Sequence, residues 1–230
     1  MRRLLPGIMA SALVALASVH AQAQTAPPSG TDIYHVHFAK AAPGQVTALD
    51  EAVKQPDTTT PMPEHFVVLR HQQGDDWDYC VIQHLGPRAT IEAARTAPAA
   101  AARDLRAWHT DTFVLGPSWP EFVKAMGIGD KAAAGAIYAV SVWREVPGHR
   151  NELGRILREP QPSKVPVSRL VLQHMEGSAW TFLALDRYAS WQDFATDQAA
   201  DTAPGSGGGW ADIRQHSSFH RDTLADRIHP

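Results

Sequence analysis

Ile33-Tyr34-His35-Val36 returns 104 residues later as Ile137-Tyr138-Ala139-Val140. At the same offset Pro43-Gly44 becomes Pro147-Gly148, and Leu49 becomes Leu153. His71-x-x-Gly74-x-x-Trp77 reappears as His174-x-x-Gly177-x-x-Trp180, offset by 103. Trp108-His109-Thr110-Asp111-Thr112 reappears as Phe219-His220-Arg221-Asp222-Thr223, offset by 111. The order is kept and the offset changes only between elements. The largest change coincides with Pro204-Gly205-Ser206-Gly207-Gly208-Gly209, whose composition is that of a flexible insertion. Self-similarity in register is the signature of an internal repeat. The chain reads as two diverged copies of one unit.

Each copy lays out its elements in the same order. Ile33 to Phe38 alternates, as a half-buried strand does. Pro43-Gly44 starts a helix with an apolar stripe of Val46, Leu49, Ala52 and Val53, matched by Leu153, Ile156 and Leu157. Phe66 to His71 predicts a second strand, Gly74 a hairpin, and Trp77 to Gln83 a third strand. A helix is predicted from Thr90 to Ala107, and its counterpart from Trp191 to Ala200. His109 to Val114 and His220 to Ala225 predict short last strands. The pattern is β-α-β-β-α-β, the ferredoxin-like unit, and the fold class is α+β with two such units in tandem.

In element order, in the Pro-Gly helix starts and in the Gly hairpins before Trp77 and Trp180, the chain resembles the dimeric α/β-barrel superfamily. That superfamily includes antibiotic-biosynthesis-monooxygenase-like and NIPSNAP-like proteins. The resemblance implies that the two units pack as an intramolecular barrel, with one sheet face carrying helices and the other lining the barrel. It also implies a spread of activities: cofactor-independent oxygenation, haem chemistry, or plain ligand binding. None transfers residue by residue, because neither the Asn-Trp-His pattern of haem-degrading members nor the single proximal histidine of chlorite dismutase is matched.

The boundaries expected are a signal peptide at 1–23, a disordered mature N-terminus at 24–31, the first copy at 32–115, a linker at 116–135 and the second copy at 136–228. Arg2 and Arg3 precede an uncharged, mostly apolar run from Leu4 to Val19, followed by the small-x-small site Ala21-Gln22-Ala23. The run is too short to span a bilayer as a helix. Export to the periplasm or medium is expected, by the general route or by the twin-arginine route that Arg2-Arg3 hints at. Ala26-Pro27-Pro28-Ser29-Gly30 gives the mature N-terminus a disordered composition. Trp119 to Met126 is expected to form a short helix within the linker.

A formal net charge of −3 gives no electrostatic case for nucleic acid or an anionic membrane surface. The only cysteine, Cys80, lies in an apolar run and reads as a small buried hydrophobe, so no intramolecular disulfide forms.

The first strand separates the copies. Tyr34, Val36 and Phe38 match Tyr138, Val140 and Val142 and are expected to face the helices. The opposite side carries Ile33, His35 and His37 in copy one but Ile137, Ala139 and Ser141 in copy two. Residues at i and i+2 of a strand point the same way, so His35 and His37 are expected to enter the barrel together. The fourth strand lies beside the first and brings His109 and Asp111. Imidazoles with a carboxylate suit zinc, iron or copper, and equally a general base oriented by a carboxylate. The competing reading is structural, since His220 and Asp222 repeat the His-Asp pair in a copy without the others. His35 and His37 are the catalytic candidates; Arg70, His109 and Asp111 join them as ligand-binding candidates, and His35, His37 and His109 are weak metal candidates. Arg70 and Gln173 are expected inside the barrel, with Arg70 able to hold an anion. His71 and His174 read as hairpin packing against the indoles.

The leading expectation is an exported protein that binds, or modifies, a small and partly apolar molecule in the copy-one half of the barrel. The alternative is a non-catalytic interaction or scaffold module, and a third reading is a His/Asp metalloenzyme. The cofactor is left unknown, and no nucleic-acid partner or membrane span is expected. An enclosed polar cavity lined by His35 and His37 would favour the first reading, and a filled apolar barrel the second.

Overall fold

A computed structural model describes residues 30–87, 105–159, 165–201 and 209–230. The expected signal peptide, most of the helix expected from Thr90 to Ala107 and the 202–208 part of the Gly-rich loop lie outside the described residues. Eight strands carry the fold: β1 Asp32–Ala41, β2 Phe66–Gln73, β3 Tyr79–Pro87, β4 Arg106–Gly116, β5 Ile137–Glu145, β6 Ser168–Glu176, β7 Phe182–Tyr188 and β8 Ser217–His229. Five described helices accompany them: α1 Val46–Val53, α2 Trp119–Met126, α3 Arg150–Arg158, α4 Trp191–Asp201 and α5 Gly209–His216.

The strands close into an antiparallel barrel in the order β1-β3-β2-β8-β5-β7-β6-β4, with β4 returning to β1. The first four strands run β4-β1-β3-β2, and the last four run β8-β5-β7-β6. The two arcs meet at two seams, β2 with β8 and β4 with β6.

Both faces of this sheet carry packed side chains, each against a different partner. Tyr34, Val36 and Phe38 form one apolar cluster with Tyr138, Val140, Leu172, Leu183, Trp77 and Trp180. Side chains from opposite arcs meet there, so this cluster fills the barrel. The expectation that Tyr34, Val36 and Phe38 face the helices is therefore reversed. The helices sit on the other face: Leu49 of α1 packs on Ala39, Ala41, Phe66, Val68 and Tyr79. Leu153 and Leu157 of α3 pack on Trp143, Val171, Phe182 and Ala184. Fully burying one such leucine stabilises by about 1.5–3 kcal/mol, and truncation to alanine costs about 2–5 kcal/mol. Ile33, His35 and His37 share the outer, helix-bearing face.

Three further differences from the expectation have local causes. The last strands are longer, because β4 and β8 each pair on both sides and so continue to Arg106–Gly116 and Ser217–His229. Arg106 and Ala107, assigned to a helix from composition, are the first residues of β4. The composition of 204–209 predicts a flexible insertion, but a helix begins at its last residue: Gly209–His216 is helical and rests Ile213 on the α3 cluster.

The connection between the arcs is ordered by its sequence. Ser118 and Glu121 form a capping box, and Gly127 ends α2 in the left-handed conformation, at φ 65°. Phe122 and Met126 enter the barrel cluster, and Tyr34 stacks on Phe122 at 4.9 Å. Tyr34 Oη donates to the Pro117 carbonyl at 2.9 Å, and Tyr138 Oη to the Met126 carbonyl at 2.7 Å. This helix thus plugs the end of the barrel where β1 and β5 begin.

The repeated hairpin glycines answer a packing need. Gly74 and Gly177 have φ of 128° and 110°. A Cβ on Gly74 would overlap the Asp222 carbonyl of β8 and lie 2.7 Å from the Thr223 Cα. A Cβ on Gly177 would overlap the Asp111 carbonyl of β4 and lie 3.0 Å from the Thr112 Cα. Each arc's hairpin therefore leans on the last strand of the other.

Candidate functional site

The β1–β4 register builds a short ladder on the outer face. Ile33 pairs with Leu115, His35 with Phe113, His37 with Asp111, and Ala39 with His109. Directly opposed residues of an antiparallel pair lie close enough for side chains to touch. Here they do. His35 Nε2 donates to Asp111 Oδ1 at 2.9 Å, and His37 Nδ1 donates to the same oxygen at 2.7 Å. His109 Nδ1 lies 2.9 Å from Oδ2. Three imidazoles thus gather around one carboxylate. Arg106, two registers further along β4, donates from Nη1 to His37 Nε2 at 3.0 Å.

These contacts set the protonation pattern. Burial alone would raise the Asp111 carboxyl, but hydrogen bonds from His35 and His37 outweigh it and hold the group well below the usual carboxylate range. Asp111 is therefore ionised and accepts. Burial lowers the His37 pKa against the opposing pull of Asp111. With Arg106 donating to Nε2, a neutral His37 carries its proton on Nδ1, toward Asp111. His35 and His109 each use one nitrogen on Asp111 and keep the other.

The site has a polar and an apolar end. His35 packs against Phe113 with ring centroids 5.2 Å apart. Phe113 in turn borders a cluster of Ile33, Leu85 and Leu115 on the same face. His35 sits where the two ends meet. The second arc has no such arrangement: Ala139 and Ser141 stand opposite Leu224 and Asp222. There His220 lies 3.6 Å from Asp222 and stacks on Trp143 at 4.6 Å.

The four residues His35, His37, His109 and Asp111 are thus brought together, but outside the barrel, whose interior is filled by apolar side chains. Arg70 is not with them. Its guanidinium is exposed and pairs with Asp226 across the β2–β8 seam, with Nη2–Oδ2 at 2.7 Å. Gln173, expected inside as well, accepts from Arg158 of α3 on the outer face. His71 and His174 meet Trp77 and Trp180 edge-on at 5.8 and 5.7 Å, as packing partners do. Cys80 is buried, and burial pushes its thiol pKa up.

Some polar groups escaped the sequence reading. Arg106 was hidden by its assignment to a helix. A second network joins Asp32, His84, His65 and Trp119: His84 Nε2 meets Asp32 Oδ2 at 2.9 Å, and the two Nδ1 atoms of His65 and His84 meet at 3.1 Å. Trp119 stacks on His65 at 4.5 Å. His149 and His216, which lie in polar stretches of sequence without a motif, meet through Nδ1 at 2.8 Å. Only histidine frequency along the chain signals such pairs, and it does not say which rings meet.

No protein-family model matches the chain, and no curated protein matches it. Solved structures share its fold. An anthrone oxidase-like protein superposes with a TM-score of 0.58 at 14% identity, over 87% of this chain and 93% of that one. A Lactobacillus acidophilus NCFM protein provisionally described as a monooxygenase gives 0.52 at 7% identity, over 86% and 94%. One from Fusobacterium nucleatum subsp. nucleatum, described in the same way, gives 0.53 at 8% identity, over 87% and 94%. At these identities the likeness concerns the fold.

Proposed function

We propose that this protein binds a small, partly apolar molecule on the outer face of β1 and β4 and modifies it by proton transfer, with His35 as the base. The observation that carries the reading is the convergence of His35, His37 and His109 on Asp111 beside an apolar edge. His35 donates one ring nitrogen to an ionised carboxylate and keeps the other for a substrate proton. The carboxylate orients the ring and stabilises the imidazolium as it forms, an arrangement worth roughly 10²–10⁴ in rate. Proton removal leaves an electron pair on the substrate. Such an electron-rich anion can pass its electrons to dioxygen as co-substrate, which is reduced as the carbon is oxidised; this accords with structural neighbours named for monooxygenase and anthrone oxidase chemistry.

Within the same proposal the chain is two fused ferredoxin-like copies, of which the first kept the site. The repeated motifs and the matching strand orders of the two arcs support this. Residues 1–23 direct export to the periplasm or medium. No described helix is long and apolar enough to cross a membrane. The filled barrel favours a second reading, a scaffold with no small-molecule role.

Native mass spectrometry of the exported protein separates the two. The wild type should start near Gln24 and carry an organic mass that the His35→Ala, His37→Ala double variant lacks at an unchanged melting temperature. With anthrone as probe, His35→Ala should slow oxygen uptake by about 10²–10⁴. Equal retention and equal uptake in the two proteins would leave the scaffold.

A further inference from the structure

We infer that the same cluster takes a divalent transition-metal ion, held by His37, His109 and Asp111, with Arg106 as a competing cation. The inference rests on the β1–β4 face being the functional one and goes beyond it by naming an ion.

One donor atom from each of the three residues lies within 4.8 Å of the others, the only such trio among the described residues. The His37 and His109 rings are 5.2 Å apart and tilted by 38°, with Nδ1 of each turned on a different oxygen of Asp111. A tetrahedral ion with bonds of about 2.0–2.1 Å sets its donors about 3.3 Å apart. The contacts of 2.7 and 2.9 Å, one to each oxygen of Asp111, need to widen by about 0.4–0.6 Å, and the three donor atoms, already within 4.8 Å of one another, to turn onto a common centre. Two imidazoles and one carboxylate suit zinc, cobalt, nickel, iron or copper, and three protein donors leave a coordination position for water or a ligand. His35 stays outside the donor set. It donates to Asp111 Oδ1 and so holds the carboxylate from behind, as partners of metal-bound carboxylates do.

The ion needs a lone pair on each Nδ1, so each ring's proton moves to Nε2. At His109 that nitrogen has an exposed side chain around it, 42% accessible. At His37 it faces Arg106 Nη1 at 3.0 Å, two donors pointing at one another. The guanidinium must turn away before the ion enters. Arg106 therefore opposes the ion twice, through like charge and through the tautomer it enforces. The second arc cannot do the same, with Ala139 and Ser141 in place of the first-strand imidazoles.

Cobalt(II) titration of the metal-stripped full chain, read by visible absorption and by calorimetry, tests this. The wild type should bind one ion per chain with absorption typical of four or five donors. His109→Ala, a change at an exposed side chain, and the near-isosteric Asp111→Asn should each weaken binding at least tenfold. Arg106→Ala should tighten it severalfold. His35→Ala should still take one ion per chain, about 10–100-fold more weakly for want of its hold on Asp111, while losing the organic ligand altogether, which separates this inference from the proposed function. His216→Ala, at the other histidine pair, should leave the titration unchanged. No stoichiometric binding by the wild type would overturn the inference, as would equal affinity in wild type and Asp111→Asn. Binding lost in His216→Ala would place the ion elsewhere. Weaker binding in Arg106→Ala would refute the competition.

Discussion

Replacing Gly177 by alanine adds one methyl group and tests how the two arcs of the barrel support one another. Gly177 adopts φ 110°, a conformation that side-chain-bearing L-residues rarely adopt. Moving a residue out of its allowed region costs roughly 1–2 kcal/mol. The new Cβ also overlaps the Asp111 carbonyl and presses on the Thr112 Cα at 3.0 Å. Overpacking against backbone, which cannot rotate aside, adds about 1–3 kcal/mol. The sum is about 2–5 kcal/mol, a shift of roughly 1–2 M in urea midpoint for a chain of this size. Gly74→Ala is the matched control, since its Cβ meets Asp222 and Thr223 in the same way at φ 128°. Both variants should lose similar stability in urea melts followed by tryptophan fluorescence. Only Gly177→Ala should also move the ring resonances of His35 and His37, because it displaces the backbone of Asp111. Losses under 1 kcal/mol in both variants would show that the hairpins do not bear on the opposite strands. Histidine shifts of equal size in both would remove the link to the site.

Trp77 and Trp180 are 3% and 8% exposed within the barrel cluster, so alanine at either should cost roughly 3–5 kcal/mol in chemical denaturation. Less than about 1 kcal/mol for both would mean that the indoles do not support the barrel. Burial lowers the pKa of His37 and of His84 despite the hydrogen bonds they donate to Asp111 and Asp32, which raise them. Both groups bind protons more readily when unfolded, so the stability they contribute is complete above their unfolded value of about 6.5 and is lost as pH falls below it. The melting temperature should decline from about pH 6.5 downward, less steeply in His84→Gln; a flat profile to pH 5 would contradict the assignment.

Element order was legible because Gly74, Trp77, Gly177 and Trp180 mark the same hairpin twice. The convergence of His35, His37, His109 and Asp111 was legible because a strand repeats every two residues and the fourth strand lies beside the first. Which face points inward was not legible. Tyr34, Val36 and Phe38 would be buried on either side of a sheet that has a packed barrel on one face and helices on the other. Alternation reports that the faces differ and is silent about their partners. Arg106 was missed for a related reason: alanine-rich composition extends a helix in the reading until pairing with Ala41 of β1 claims the residue for a strand. Arg70 was misplaced because its partner, Asp226, comes from a seam 156 residues away.

That seam makes the order of folding a matter of when β8 arrives. β8 is bonded on one side to β5 and on the other to β2, whose residues precede it by about 150 positions. Contacts so distant in sequence close slowly, since the entropy of a long loop is lost before any pairing offsets it. The first arc can form early from its own hairpins, but β2 keeps an open edge until Leu224 to His229 arrives. A nascent chain that has not yet added β8 would carry two unpaired strand edges, on β2 and β5, the form most ready to pair with a neighbour. Strand β8 is thus the clasp of the ring, and a chain cut before it should aggregate while still holding every residue of the site.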